Sequence, residues 1–152
     1  MSSNSENLLY LDDLRVGQEF ISREQFLDTE QIISFASQYD PQPFHTDPIA
    51  AQNSLFNGLA ASGWHTMAVT MKLVVQSVPL GGGVVGLGGE ISWPRPTRPG
   101  DTLYVKSSVI EIAPSKSKPD RGIVRTQCLT MNQAGEIVQE FIAKLLVFRR
   151  PQ

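Results

Sequence analysis

The chain has 152 residues, 41% of them hydrophobic, which is enough for one domain that buries its own core. Its formal net charge of -2, without a long basic run, argues against nucleic-acid binding and against a membrane-surface role. A small molecule is therefore the expected partner.

We expect a single domain over residues 1–152, with a flexible tail over about residues 1–8. The N-terminus has neither a basic region nor an apolar stretch of signal-peptide type, and no window approaches transmembrane length. Cys128 is the only cysteine, so an intramolecular disulfide is excluded. A cytoplasmic location is expected.

The first predicted elements are a strand around residues 19–26 and a short helix that Asp28 or Thr29 can cap. The next predicted helix runs from Asn57 to Gln76, with apolar residues at helical spacing and Lys72 as its one charged residue. A helix with so little charge is predicted to be covered on nearly every side, as by a sheet wrapped around it.

Three strands are predicted after this helix, over residues 102–112, 122–131 and 137–148, with a hairpin turn at residues 132–135. One long helix followed by antiparallel strands indicates an α+β domain. The glycine run at residues 81–89 contains a G-x-G-x-x-G string, but it follows a helix instead of a strand, so it predicts a turn and a strand start. We predict no dinucleotide cofactor.

The most informative segment lies between the two helices and reads Tyr39-Asp40-Pro41-Gln42-Pro43-Phe44-His45-Thr46-Asp47-Pro48. Prolines fix their own φ and disfavour helix in the preceding residue, so this segment is predicted to be a stiff loop. A carboxylate and an imidazole held in such a loop can share one water molecule. The pattern favours water activation by Asp40 and His45, although these are also ordinary turn sequences whose side chains bond their own backbone.

Residues 39–67 resemble the MaoC-like, (R)-specific enoyl-CoA hydratase family of hotdog-fold proteins. The positions that match the family motif are Asp40, Pro43, His45, Asp47, Pro48 and Ala51, with Gln42 where the family has asparagine. The resemblance implies a hotdog fold, in which an antiparallel β-sheet wraps around a long central helix. It also implies reversible same-face addition of water to a trans-2-enoyl thioester, giving the (R)-3-hydroxyacyl product.

In that reaction Asp40 and His45 would bind the water, and the sequence leaves open which of them is base and which is acid. Negative charge develops on the thioester oxygen, and a glycine at a helix N-terminus can bring a backbone donor close to it. Gly63 falls at that position of the family motif, although close helix packing would also require a glycine. Ser62 stands where the family has a histidine, which puts the shape of the substrate pocket in question.

Further residues are expected to bind the substrate, namely Pro43, Phe44, Ser62 and Trp64 near the acyl group and Lys116, Lys118 and Arg121 near the phosphates of CoA. Arg95 and Arg98 are additional candidates for the phosphates. The lysine-containing loop is also a typical solvated turn. His65 is interpreted as a structural residue, because a lone histidine on a covered helix more often serves packing than catalysis.

The resemblance implies an acyl-CoA substrate, for which acyl carrier protein could substitute, and a homodimer or larger homo-oligomer. It requires no cofactor, and two histidines twenty residues apart without a clustered third ligand predict no metal. A hotdog thioesterase and a non-catalytic thioester-binding subunit are the alternatives. The absence of any aspartate or glutamate between Asp47 and Glu90 argues against the thioesterase, and the intact pair of Asp40 and His45 argues against the binding subunit.

Overall fold

The computed structural model describes residues 7–152, so most of the predicted tail over residues 1–8 lies outside the described residues. One antiparallel sheet of six strands carries the fold, in the order β1-β4-β5-β6-β3, with β2 also paired to β4. Its strands are β1 (Glu19–Ile21), β2 (Gln25–Phe26), β3 (Val85–Ser92), β4 (Thr102–Pro114), β5 (Arg121–Met131) and β6 (Ile137–Phe148).

Four α-helices accompany the sheet within residues 7–152, namely α1 (Thr29–Tyr39), α2 (Pro43–Thr46), α3 (Pro48–Ala51) and α4 (Gly63–Ser77). Asp28 caps α1, because its carboxylate accepts a hydrogen bond from the Gln31 backbone N–H. The long helix α4 packs on β4, and the core lies between them. The predicted α+β class with a long helix against an antiparallel sheet is confirmed.

Alternation along the central strands explains why the sheet has one buried face. In β4 the buried residues are Leu103, Val105, Ser107 and Val109, and in β5 they are Gly122, Val124, Thr126, Cys128 and Thr130. Cys128 is buried among these residues, as its position in an alternating run predicts. The predicted single strand over residues 19–26 was wrong, because the chain breaks into β1 and β2, which each pair with β4.

The long helix begins at Gly63, so the predicted start at Asn57 was wrong. Asn57 has a φ of 52° and Gly58 a φ of 142°, and neither value belongs to a right-handed helix. The segment after them is extended and bonds to two neighbours: the Ala60 N–H donates to the Phe44 carbonyl, and the Ala61 N–H donates to the Thr97 carbonyl. Tertiary hydrogen bonds therefore override the helical propensity of the two alanines.

One face of α4 is open in the single chain, so the prediction of a helix covered on nearly every side was wrong for an isolated protomer. Trp64 is 58% exposed, Met71 37% and Val75 50%, and with Ala68 they form a stripe along the helix. The opposite face is buried against the sheet through Val69, Leu73 and Val74.

Candidate active site

The proline-rich segment runs from the end of α1 through two single-turn helices, and it carries both catalytic candidates. Asp40 is the C-terminal cap that follows α1, and Pro43 and Pro48 each occupy the first turn of a following helix. The prediction of a loop without helix was wrong, because proline is well tolerated where the backbone N–H would be unpaired in any case. The same geometry places His45 on α2, facing back to Asp40.

Asp40 and His45 are in contact, with 3.3 Å between the Asp40 Oδ2 and the His45 Nε2. His45 is 5% exposed, and its ring packs edge-on against Phe44. The two residues that the sequence singled out therefore form one site.

The tautomer of the His45 ring is fixed by a backbone carbonyl. Its Nδ1 lies 2.7 Å from the Ala60 carbonyl oxygen. A carbonyl can only accept a hydrogen bond, so Nδ1 must carry a proton. In the neutral ring, Nε2 is then the unprotonated nitrogen, and it is the nitrogen next to Asp40. In this tautomer Nε2 carries a lone pair, so it is the nitrogen that can accept a proton or a hydrogen bond.

Asp40 is held as a carboxylate by two neutral donors. The Ser62 hydroxyl donates to its Oδ2 at 2.7 Å, and the Gln42 side-chain amide donates to its Oδ1 at 2.5 Å. Burial tends to raise the pKa of Asp40, but these two hydrogen bonds and the nearby His45 outweigh it, so its pKa lies below the ordinary value of 3.8. Asp40 is therefore ionised at neutral pH.

Ser62 connects the catalytic segment to the long helix. Its hydroxyl oxygen accepts a hydrogen bond from the Trp64 backbone N–H, which caps α4, and the same hydroxyl donates to Asp40. The side chain is fully buried. The residue that departs from the family motif thus binds the Asp40 carboxylate directly.

Gly63 is the first residue of α4, and within residues 7–152 its N–H meets no protein acceptor. A free N–H at the start of a long helix is a suitable donor to a developing negative charge. A Cβ added at Gly63 would lie 2.6 Å from the Trp93 ring, so packing also requires glycine here. Both interpretations of Gly63 therefore have a structural basis.

These groups share an open cleft of about 550 Å³. Its walls include Asp40, His45, Gly63, Trp64, Trp93 and Arg98. Among the predicted substrate-binding residues, Trp64 lines the cleft, and Ser62 lies buried beneath it. Pro43 begins α2, and Phe44 packs against His45 and Phe56 behind the cleft.

Arg98 supports the wall of the cleft. Its guanidinium donates to the carbonyls of Gly58 at 3.1 Å and Leu59 at 3.3 Å, and also to that of Phe56. These bonds hold the extended segment whose Ala60 carbonyl fixes the proton on His45. The sequence suggested Arg98 only as a candidate for phosphate contacts, and its carbonyl contacts depend on a fold that the sequence does not show.

Lys116, Lys118 and Arg121 lie at the other end of the sheet. The β4 strand separates their hairpin from the cleft, and its 13 residues span about 40 Å at roughly 3.3 Å per residue. Both lysines are exposed, while Arg121 binds Asp120 at 2.9 Å and stacks over Phe148. Within one chain, these cations do not approach Asp40 and His45.

His65 is placed in a packing role. Its ring stacks on Phe35 at 4.5 Å between centroids, and its buried Nδ1 has no hydrogen-bond partner within the described residues. Burial lowers the pKa of His65 below the ordinary value of 6.5.

Replacing His65 with phenylalanine should weaken the pH dependence of stability. A lowered histidine pKa means that the unfolded chain binds more protons than the folded one, so stability is lost as pH falls below about 6.5. Phenylalanine keeps the stacking on Phe35 and cannot be protonated. The loss in Tm between about pH 7.5 and about pH 5.5 should therefore be smaller in His65→Phe than in the wild type. The same loss in both proteins would contradict this, and Lys72→Gln, on the same helix, is the control.

Two further properties concern metals and membranes. Among residues 7–152, no cluster of three or more histidine, cysteine, aspartate or glutamate side chains is placed to bind a metal ion. None of the helices in this part of the chain has the length and apolar character needed to cross a membrane.

Comparison with known proteins decides the family. The model of the MaoC like domain matches residues 14–131 of the chain. The chain belongs to this family. A MaoC-like dehydratase from Rhodospirillum rubrum is 55% identical in sequence and superposes with a TM-score of 0.93, over 95% of this chain and 99% of that one.

Two more distant relatives carry names that describe an activity. An R-hydratase from Pseudomonas aeruginosa is 26% identical, with a TM-score of 0.78, over 94% of this chain and 88% of that one. A 3-hydroxybutyryl-CoA dehydratase from Methylorubrum extorquens is 27% identical over 112 residues, which are 73% of this MaoC-like chain and 70% of the relative. The hotdog fold that the sequence predicts is thus confirmed by its relatives.

Proposed function

We propose that this MaoC-like protein is an (R)-specific enoyl-thioester hydratase, which adds water reversibly to a trans-2-enoyl thioester. The observation that carries the proposal is the cleft in which an ionised Asp40, the Nε2 of His45 and the start of α4 at Gly63 lie together. The hydratase and dehydratase names of the two distant relatives support the same reaction class.

We assign a role to each member of the pair from the ionised carboxylate of Asp40 and the tautomer of His45. The Asp40 carboxylate accepts a hydrogen bond from the bound water and orients it, because its low pKa keeps it ionised. The His45 Nε2 takes a proton from that water as its oxygen bonds to C3 of the substrate. The resulting imidazolium then donates this proton to C2 from the same side, so that hydroxyl and proton add to one face and the pair returns to its starting state.

Gly63 acts on the other end of the reacting system. As the water oxygen bonds to C3, negative charge is delocalised from C2 onto the thioester oxygen. The Gly63 N–H, at the positive end of α4, stabilises that oxygen. The reaction needs neither a metal nor a cofactor besides the thioester carrier, which can be CoA or acyl carrier protein.

A homodimer belongs to this proposal because two adjoining surfaces of the single chain lack a partner. Strand β3 is at the edge of the sheet and pairs only with β6 in the described part of the chain. The exposed stripe of α4, which is formed by Trp64, Ala68, Met71 and Val75, approaches this strand where Trp64 packs on Trp93. A second copy that pairs its own β3 across a two-fold axis would satisfy the edge and cover the stripe.

Such a dimer also offers a use for the distant cations. Lys116, Lys118 and Arg121 do not reach the cleft of their own chain, so we assign them to the CoA phosphates of the partner's site. The cytoplasmic location expected from the sequence remains part of the proposal.

Replacing Met71 with glutamate should convert the dimer into monomers. Met71 lies in the middle of the exposed stripe, and a carboxylate there would be desolvated at the interface. Light scattering after size-exclusion chromatography should give the dimer mass for the wild type and the monomer mass for Met71→Glu. Ile21→Glu alters an equally apolar but separate exposed position on β1 and should remain dimeric. A monomeric wild type would contradict the dimer.

The function is tested by adding the purified protein to crotonyl-CoA and following enoyl absorbance and free thiol together. Hydration removes the enoyl absorbance without releasing thiol, and the 3-hydroxybutyryl product should have the (R) configuration. His45→Gln should abolish the reaction, because its amide cannot exchange a proton at neutral pH. Thiol release would identify a thioesterase, and silence with crotonyl-CoA and with longer enoyl-CoAs would favour a binding subunit.

A further inference from the structure

Trp93 is a large aromatic side chain of the cleft that is hydrogen-bonded to the protein behind it. It follows β3, and its indole N–H donates to the Gln139 side-chain oxygen at 3.0 Å. The residue is 40% exposed and lines the cleft on one side, while its indole N–H faces the protein. This tryptophan was absent from the residues that the sequence indicated.

Gln139 lies on β6 and is fully buried, with both ends of its amide in use. Its nitrogen donates to the Thr70 hydroxyl at 3.0 Å and contacts the Met67 sulfur at 3.5 Å, and its oxygen accepts from Trp93. A buried amide is costly unless it is hydrogen-bonded, so a fully satisfied glutamine at this position fixes the groups around it. The network ties the indole to α4 and to the sheet.

The same indole packs on Gly63. An ideal Cβ built on Gly63 would lie 2.6 Å and 2.8 Å from two atoms of the six-membered ring of Trp93, so the ring occupies the space that any side chain would need. Trp64 packs edge-on against Trp93, with 5.5 Å between the ring centroids. Trp93 is therefore fixed beside the backbone donor that the proposed function assigns to the thioester oxygen.

This position determines which part of a substrate meets the ring. With the thioester oxygen at Gly63 and C3 beside Asp40 and His45, the intervening C2 lies next to the wall that Trp93 forms. A hydrogen on C2 fits beside such a wall, whereas a methyl group there would contact the indole.

We propose that Trp93 is a specificity-determining residue that selects thioesters without a substituent at C2, and that Gln139 is the positioning residue that holds its indole beside Gly63. This inference rests on the proposed function, because it uses the substrate orientation given by Gly63 and the catalytic pair. It adds a substrate class: linear 2-enoyl thioesters are accepted, and 2-methyl-branched ones are rejected.

The test compares crotonyl-CoA with its 2-methyl derivative, 2-methylcrotonyl-CoA. The measured quantity is the ratio of kcat/KM for the branched substrate to that for the linear one. Because one methyl group in a pocket typically changes kcat/KM by about tenfold or more, Trp93→Leu should raise this ratio by at least about tenfold. Gln139→Met keeps the length of the side chain and removes the acceptor, and should raise the ratio in the same direction, by up to about tenfold.

The matched control is Gln127→Met on the neighbouring strand β5, whose half-buried side chain lies on the face of the sheet away from the core. It should leave the ratio unchanged. An unchanged ratio in Trp93→Leu, with crotonyl-CoA still hydrated, would overturn the role of Trp93. A ratio that changes in Trp93→Leu but not in Gln139→Met would overturn the positioning role of Gln139.

A fluorescence measurement separates this inference from the hydratase proposal. Trp64 and Trp93 are the only tryptophans, so in a Trp64→Phe background the emission reports Trp93 alone. Introducing Gln139→Met should shift that emission, since the indole loses its acceptor. The protein is also titrated with butyryl-CoA and with isobutyryl-CoA, which is the isomer of butyryl-CoA that carries a methyl group at C2. The wild type should bind the linear thioester more tightly. Calorimetry on Trp93→Leu should show that this difference in affinity is lost. Equal binding of both thioesters by the wild type would overturn the inference even if no enoyl-CoA is hydrated.

Discussion

Asp40→Asn should lower kcat for enoyl-thioester hydration by about 10³-fold while the protein stays folded. Asparagine has nearly the same shape and can still accept the hydrogen bond from the Ser62 hydroxyl. It lacks the negative charge that orients the water and stabilises the imidazolium of His45, whose Nε2 is 3.3 Å away. KM should change little, because the carboxylate acts on the water and not on the thioester carrier. The measurement is the decay of enoyl absorbance with crotonyl-CoA.

The matched control for this variant is Asp47→Asn. Asp47 belongs to the same proline-rich segment, but its carboxylate caps α3 by accepting hydrogen bonds from the N–H groups of Ile49 and Ala50. Asparagine caps helices as well as aspartate does, so both activity and Tm should stay near wild type. If Asp40→Asn keeps more than about a tenth of the wild-type kcat, general acid–base chemistry would not depend on this carboxylate.

The contact between Asp40 and His45 could be predicted from sequence because it is local. Asp40 and His45 are separated by only four residues, and Pro41 and Pro43 restrict the backbone between them. Their proximity depends little on the rest of the fold. The capping role of Asp28 and the hairpin before β6 could be predicted for the same reason.

The supporting residues could not be predicted, because they meet only through tertiary structure. Trp93 and Gln139 are 46 positions apart, and their contact depends on the register in which β3 pairs with β6. Arg98 reaches carbonyls about 40 positions earlier in the chain. These carbonyls belong to the segment that the sequence assigned to the start of the long helix, so the misplaced helix start and the missed role of Arg98 have one cause.

The open stripe on α4 shows a different limit. Its apolar residues predict burial, and in the single chain the face with Trp64, Met71 and Val75 stays exposed. A sequence pattern records that a surface is apolar, but it does not distinguish burial within a chain from burial between chains. The proposed dimer reconciles the pattern with the structure.

Gly63→Ala should reduce both stability and rate, for two separable reasons. The new Cβ would lie 2.6 Å from the Trp93 ring, and overpacking of this kind costs about 1–3 kcal/mol of unfolding free energy. The backbone itself would not resist the change, because Gly63 is helical and alanine is the better helix former. The rate should fall by about 10²-fold, since the methyl group also keeps the thioester oxygen from the N–H.

The double variant Gly63→Ala with Trp93→Leu distinguishes the two reasons. Leucine gives the methyl group room, so the unfolding free energy should return to that of Trp93→Leu alone, as measured by urea denaturation. The kcat for crotonyl-CoA should stay about 10²-fold below that of Trp93→Leu, because the methyl group still stands between substrate and donor. If both the unfolding free energy and kcat return to the values of Trp93→Leu, packing against Trp93 is the whole reason for glycine at this position. That result would contradict a close approach of the thioester oxygen to Gly63.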